Sequence, residues 1–206
     1  MKKVVLVLFA IGVIGLVSSA PALALQLDFV PSAQTINQGG TASVDIVATL
    51  AQPAGALGEI VSAYDLDVAY DPSIVTATGV TFGTWLGDEA LFEALTSFNL
   101  APGLIDFAEV SFLSDAELAL LQGTGPITLA TLSFSGDNPG TSPLSFVHYG
   151  DGFNDIKGWN NTAYLTPTLN SGSITVVTTG VPEPCTLLLL GFGLFGFSVL
   201  RRRAKR

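Results

Sequence analysis

The sequence predicts an all-β fold, a two-sheet jelly-roll sandwich of about nine strands with one or two short helical insertions. It also predicts an N-terminal signal helix and a C-terminal transmembrane helix. Three observations carry this. Between Leu25 and Gly180 the apolar residues recur with period two rather than 3.6. Clusters of Gly, Pro, Asn and Asp cut that stretch into short segments. The basic residues are pushed to the two ends, seven of the eight Lys and Arg lying at Lys2, Lys3, Arg201, Arg202, Arg203, Lys205 and Arg206.

Residues 1–24 read as a secretory signal peptide. Lys2 and Lys3 supply the positive start, Val4 to Val17 the apolar stretch, and Ala22-Leu23-Ala24 the small-residue cleavage site, with cleavage expected after Ala24. The exported domain is then 25–180. Its strands are expected at 25–29, 43–50, 63–70, 74–82, 104–112, 127–135, 143–149, 162–169 and 173–179, each alternating apolar and polar positions. Turns are expected at Asn37-Gln38-Gly39-Gly40, Asp71-Pro72-Ser73, Gly136 to Gly140 and Asn170-Ser171-Gly172. Short strands with one buried face each are satisfied by stacking two sheets. Ser114-Asp115-Ala116-Glu117 is a capping box opening a short helix that Gly123 can stop. A second helix is expected over 88–98, because Leu91, Leu95 and Phe98 fall on one helical face.

Residues 181–206 follow a different logic. Val181-Pro182-Glu183-Pro184 precedes an uncharged span, Cys185 to Leu200, and then a basic stop of Arg201, Arg202, Arg203, Lys205 and Arg206. Sixteen helical residues rise about 24 Å, short of the ~30 Å bilayer core, so 185–200 is a short span. Basic residues stay on the cytoplasmic side, which places the domain outside. These three parts in this order resemble the PEP-CTERM sorting signal of Gram-negative bacteria. The resemblance implies recognition by exosortase, processing near the Val181–Pro184 motif, and delivery to the cell surface or an exopolysaccharide matrix. Cys185 stands where Ser or Ala is more usual and reads as a membrane-buried thiol.

The middle carries a second resemblance. Asn37 to Leu50 (NQGGTASVDIVATL), Ala63 to Phe82 (AYDLDVAYDPSIVTATGVTF) and Ile127 to Phe134 (ITLATLSF) resemble cohesin-like modules, which are related in fold to cellulose-binding jelly rolls. That implies a β-sandwich working by interaction, through an exposed sheet face. No dockerin-like segment accompanies it in this chain, so cellulosome scaffolding is not implied.

Charge and composition exclude whole classes. The formal net charge is −9, but Leu25 to Gly180 holds 16 acidic residues and one base, Lys157, hence −15. Such a domain repels phosphate backbones, so no nucleic acid is expected as a partner. One Cys and one His, Cys185 and His148, leave no internal disulfide and no zinc ligand set. A Ser-His-Asp or Cys-His site has only His148 to draw on, beside Asp151 and without a nucleophile motif.

The candidate sites follow from side-chain chemistry. Asp151, Asn154 and Asp155 put three oxygen-bearing side chains in one loop, a possible calcium site without EF-hand spacing, and no other cofactor is expected. Trp159 and Asn160 set an indole beside an amide, the pairing that stacks on a sugar ring and bonds its hydroxyls. Trp85 is expected in the core. Asp65 and Asp67 share the outer face of one strand and read as solvated acids. The expected function is therefore a non-catalytic, exosortase-sorted surface or matrix protein that binds exopolysaccharide or a surface protein. The alternatives are a carboxylate-pair glycoside hydrolase and a passive structural matrix protein.

Overall fold

The computed structural model describes residues 25–50, 59–147, 155–161 and 164–178. The signal segment, the Val181–Pro184 motif, the 185–200 span and the basic stop lie outside these residues. Among the described residues no helix is long and apolar enough to cross a membrane.

Two sheets stack face to face. The first has the order β12-β1-β3-β8-β5, built from Thr168–Leu169, Gln26–Val30, Thr41–Thr49, Ile127–Gly136 and Val75–Phe82. The second runs through β11 (Tyr164–Leu165), β10 (Ile156–Lys157), β4 (Ala63–Ala69), β9 (Gly140–Val147), β13 (Gly172–Val177) and β2 (Ala33–Asn37). On the other edge of β4 lies β7 (Leu104–Ser111), and outside it β6 (Ala94–Ala101). The all-β sandwich is thus as the alternation predicts. Leu27, Phe29, Val44, Ile46, Leu129, Leu132 and Phe134 from the first sheet meet Tyr64, Leu66, Val68, Ile105 and Phe107 from the second, all buried. Phe29 stacks on Phe146 with centroids 4.6 Å apart, and Tyr70 meets Phe134 edge-on at 5.7 Å.

The predicted turns form. Asp71 accepts at its carboxylate from the Ser73 N–H (2.9 Å) and at its carbonyl from Ile74 and Val75 (both 3.1 Å), closing the Asp71-Pro72-Ser73 turn. Gly39 takes φ +80 in the turn joining β2 to β3. The capping box also forms. Ser114 Oγ accepts from the Glu117 N–H, and Glu117 Oε2 accepts from the Ser114 N–H at 2.8 Å, opening α1, Asp115–Gln122. Gln122 pins the far end of α1, accepting from Val61 N (2.9 Å) and donating to Val61 O (2.6 Å) and Trp85 O (3.2 Å).

The second predicted helix does not form. Over 88–98 there is only a 3-10 turn, Glu89–Leu91, after which Phe92 adopts a left-handed φ of 60 and residues from Ala94 onward are β6. The hairpin explains it. Pro102-Gly103, with Gly103 at φ +85, is a tight two-residue turn that lays 94–101 against 104–111 in continuous register. The ladder's hydrogen bonds override a weak helical face. Two further differences have local causes. The predicted strand 162–169 is split into β11 and β12, in different sheets, where Pro167 removes a ladder donor. Trp85 is 36 % exposed, while its neighbour Leu86 takes the core position at 1 %.

Candidate functional site

The outer face of the second sheet positions the candidate site. Tyr64, Leu66 and Val68 of β4 point into the core, so Ala63, Asp65, Asp67 and Ala69 point outward. By register, Ala108 of β7 lies beside Asp65, and Ser97 of β6 beside Ala108. A shallow cavity of about 320 Å³ lies on this face, walled by Leu95 and Ser97 on one side and by Asp65, Asp155 and Lys157 on the other, over a floor that includes Ala108. Its chemistry is uncharged on the β6 side and charged on the side of β4 and β10. Lys157, the single base of 25–180, stands there.

The acids of this face are not all solvated as expected. Asp67 is 9 % exposed and lies opposite Asp106 across the β4–β7 ladder. Partial burial, then the charge of Asp67, raises the Asp106 carboxyl above its ordinary range.

Sequence reasoning missed one buried acid. In β7, Ile105 and Phe107 face the core, and Glu109 follows in the same phase at 2 % exposure. The signal was present in the sequence, since a strand with Ile105 and Phe107 inward must turn residue 109 inward too. Tyr64 Oη lies 2.8 Å from Glu109 Oε2 and 2.9 Å from the Leu129 carbonyl oxygen. The Tyr64 hydroxyl is thus placed to donate to either oxygen, and both can accept it. Burial pushes the Glu109 carboxyl up to about 7, the Tyr64 bond opposes this, and the Glu89 charge adds to it. Glu109 Oε1 is buried without a partner, tolerable for a neutral acid and costly for a carboxylate. Burial and the nearby Glu109 likewise raise the Tyr64 hydroxyl.

The predicted site residues are only partly gathered here. Asp155 lines the cavity, and its carbonyl accepts from the Asp65 N–H at 3.0 Å. Asp151 and Asn154, its partners in the predicted calcium site, and His148 lie outside the described residues. Among the described residues no group of three or more His, Cys, Asp or Glu is arranged to hold a metal ion. Trp159 and Asn160 sit in the 3-10 turn Trp159–Asn161 beyond β10. Trp159 is half-buried and Asn160 exposed. Asn160 and Asn161 take left-handed φ values of 56 and 51, a conformation Asn tolerates. The Asn160 N–H donates to the Asp115 carboxylate at 3.0 and 3.2 Å, tying this turn to the start of α1. Asn161 reaches the cavity wall, while Trp159 is not among its lining residues.

Several cohesins superimpose on the sandwich. One comes from a type I cohesin–dockerin complex of Clostridium thermocellum, at 14 % identity over 75 % of this chain and 99 % of that one, TM-score 0.57. The sixth cohesin of Acetivibrio cellulolyticus scaffoldin B, solved with a Cel5 dockerin mutant, matches at 11 % identity over 75 % and 99 %, TM-score 0.56. The seventh ScaB type I cohesin of Pseudobacteroides cellulosolvens matches at 19 % identity over 78 % and 96 %, TM-score 0.53. The domain has the cohesin fold. Residues 180–203 match the family model of the PEP-CTERM protein-sorting motif. That motif indicates export and membrane anchoring before processing. No curated protein matches the sequence.

Proposed function

We propose that this chain is a surface or matrix protein, sorted by exosortase, whose cohesin-like domain is a non-catalytic module that binds another protein. The observation that carries the reading is the joining of the two parts, a cohesin fold and a PEP-CTERM sorting motif in one chain. The domain organisation is 1–24 signal peptide, 25–180 sandwich, and 181–206 sorting tail. In the tail, Val181, Pro182, Glu183 and Pro184 are read by the processing enzyme, and Arg201, Arg202, Arg203, Lys205 and Arg206 hold the span until then. The partner sits on the outer face of β10, β4, β7 and β6. Leu95 and Ser97 offer apolar and neutral contact there, and Asp65, Asp155 and Lys157 fix orientation.

A glycan reading is favoured by one observation, the exposed Asn160 beside the half-buried Trp159. In it Trp159 stacks a neutral ring, or calcium held by Asp151, Asn154 and Asp155 bridges to an acidic exopolysaccharide.

Three experiments test sorting, the binding face and the choice between protein and glycan. Mass spectrometry of the mature C-terminus, with and without exosortase, tests sorting, and an intact Arg206 end in both removes it. Photo-crosslinking from Ser97 and from Ser133, on the opposite sheet, tests the face. A discrete protein adduct from Ser97 alone is expected. A glycan array that binds the chain instead, with loss in Trp159→Ala or with EDTA, replaces the protein reading.

A further inference from the structure

Among the described residues β6 is an edge strand, with β5 of the facing sheet beside it through Phe82 and Phe98, and the direction of its free hydrogen-bonding groups can be read from the hairpin. Ala101 and Leu104 flank the two-residue turn Pro102-Gly103, and at the other end the Phe112 N–H donates to the Glu93 carbonyl at 2.7 Å. Both pairs belong to one uninterrupted register, so the backbone groups of Glu93, Leu95, Ser97, Asn99 and Ala101 face β7. Those of Thr96, Phe98 and Leu100 therefore face away. Among the described residues no strand pairs with that side and no backbone bond ends on it.

Sheet edges are ordinarily blunted by Lys, Pro, bulges or covering loops. β6 reads ALTSFNLA, with no charge, no Pro and no register shift. Large apolar side chains crowd it: Leu95 is 56 % exposed, Phe98 51 %, and the neighbouring Leu91, Phe92 and Phe112 are 66 %, 87 % and 62 %. These five belong to or flank the β6–β7 hairpin, while Val30, Trp85, Leu120, Leu121 and Val177 are exposed elsewhere. The charges before it and across the hairpin are acidic, Lys157 standing on the far wall of the adjoining cavity. Asp88, Glu89 and Glu93 precede the strand, Glu89 accepts from the Thr96 hydroxyl at 3.0 Å, and Asp106 lies opposite Asn99.

We propose that the β6 edge is a strand-addition site for an extended, basic-flanked apolar segment of another protein. The added strand takes its main-chain bonds from Thr96, Phe98 and Leu100, and its alternate side chains cover Phe98 or Leu95. Lys or Arg at its ends meets Glu89, Glu93 and Asp106. A second copy of this chain is the poorer occupant, because it brings the same acids and a domain charge of −15 against themselves. This site uses the backbone edge of β6 and adjoins the outer face assigned above, sharing Leu95 with it.

The test uses the full chain in detergent micelles and a nine-residue synthetic peptide alternating Val and Thr with Lys at both ends. Residue-resolved amide exchange on binding is expected to slow at Thr96, Phe98 and Leu100 by about tenfold or more and to stay unchanged at Ser97 and Asn99. A Glu-flanked peptide, and the Lys-flanked one N-methylated at alternate amides, should not bind. Phe98→Pro removes an outward donor at a position where an edge strand tolerates proline, and should weaken the Lys-flanked peptide about tenfold. Absence of binding, or protection confined to another strand, overturns the proposal. Self-association that protects the same three amides without peptide overturns the choice of occupant.

Discussion

β8 (ITLATLSFSG) and β6 (ALTSFNLA) are both uncharged strands of eight residues or more, yet among the described residues β8 is flanked by β3 and β5 while β6 pairs with β7 alone. In β8 the missing charge follows from position. Ile127, Leu129, Leu132 and Phe134 are fully buried, and a charge on that side would have no partner. In β6 burial accounts for Ala94 and Leu100 but not for Leu95 and Phe98, which are about half exposed. The same composition is thus enforced by packing in one strand and left for binding in the other. The fold tolerates change at β6 that it would not tolerate at β8.

Substitutions graded from β8 outward would break or sharpen this contrast. Phe134→Ala should have the largest effect, about 3–5 kcal/mol by urea unfolding, because a fully buried ring against Tyr70 leaves a cavity. A loss no greater than at Phe98 would erase the distinction between the strands.

Glu109, on β7 next to β6, comes second. Its folded pKa of about 7 exceeds the ordinary 4.5. Below the ordinary value the carboxyl is protonated in both states and its contribution is complete. As pH rises the unfolded chain ionises first, so the contribution is lost up to about pH 7, on the order of 2 kcal/mol after some solvent screening. Unfolding at pH 5 and pH 8 should show that loss, and Glu109→Gln should reduce the slope. An unchanged slope would mean that Glu109 is ionised in the fold.

Ser114→Ala, in the link between β7 and β8, should cost about 1 kcal/mol by loss of the cap, with the sandwich otherwise intact by circular dichroism. Phe98→Ala should cost less than about 1 kcal/mol, since the half-exposed ring meets Phe82 only at a tilted 6.4 Å. A cost as large as that of Phe134→Ala would make Phe98 part of the core.

The same two strands show what was legible in the sequence. β3 alternates cleanly, β4 does so apart from Asp67, and β8 does so on either side of a phase change at Leu129-Ala130, and the sequence places all three, because a side chain buried on one face of a paired strand has no other periodicity open to it. β6 is misread as helix. Leu91, Leu95 and Phe98 do lie at helical spacing, and no strong inward alternation contradicts them, because an edge strand buries too little to impose one. β2 and the two-residue β10 are missed for a related reason, their shortness or their mixed exposure. At the site, Asp155 and Lys157 are brought to one cavity by β4 and β10, a pairing of residues some ninety apart that no local pattern records. Glu109 was readable from the phase of β7, but only once a glutamate in the apolar phase is taken at face value.

The arrangement of the ends has a mechanical consequence. Leu27 lies beside Ala48 and so at the Ile127 end of β8, whereas Val177 pairs with Asn37 at the Gly136 end. The chain therefore enters the sandwich at one tip and leaves it at the other. Traction on the chain beyond Val177 runs along the axis of β13, which is clamped between β9 in antiparallel and β2 in parallel, five residue pairs on each side. Those ladder bonds lie across the line of force, so they are loaded together in shear rather than peeled one at a time. A domain tethered by its C-terminus and gripped elsewhere is held by its most resistant geometry.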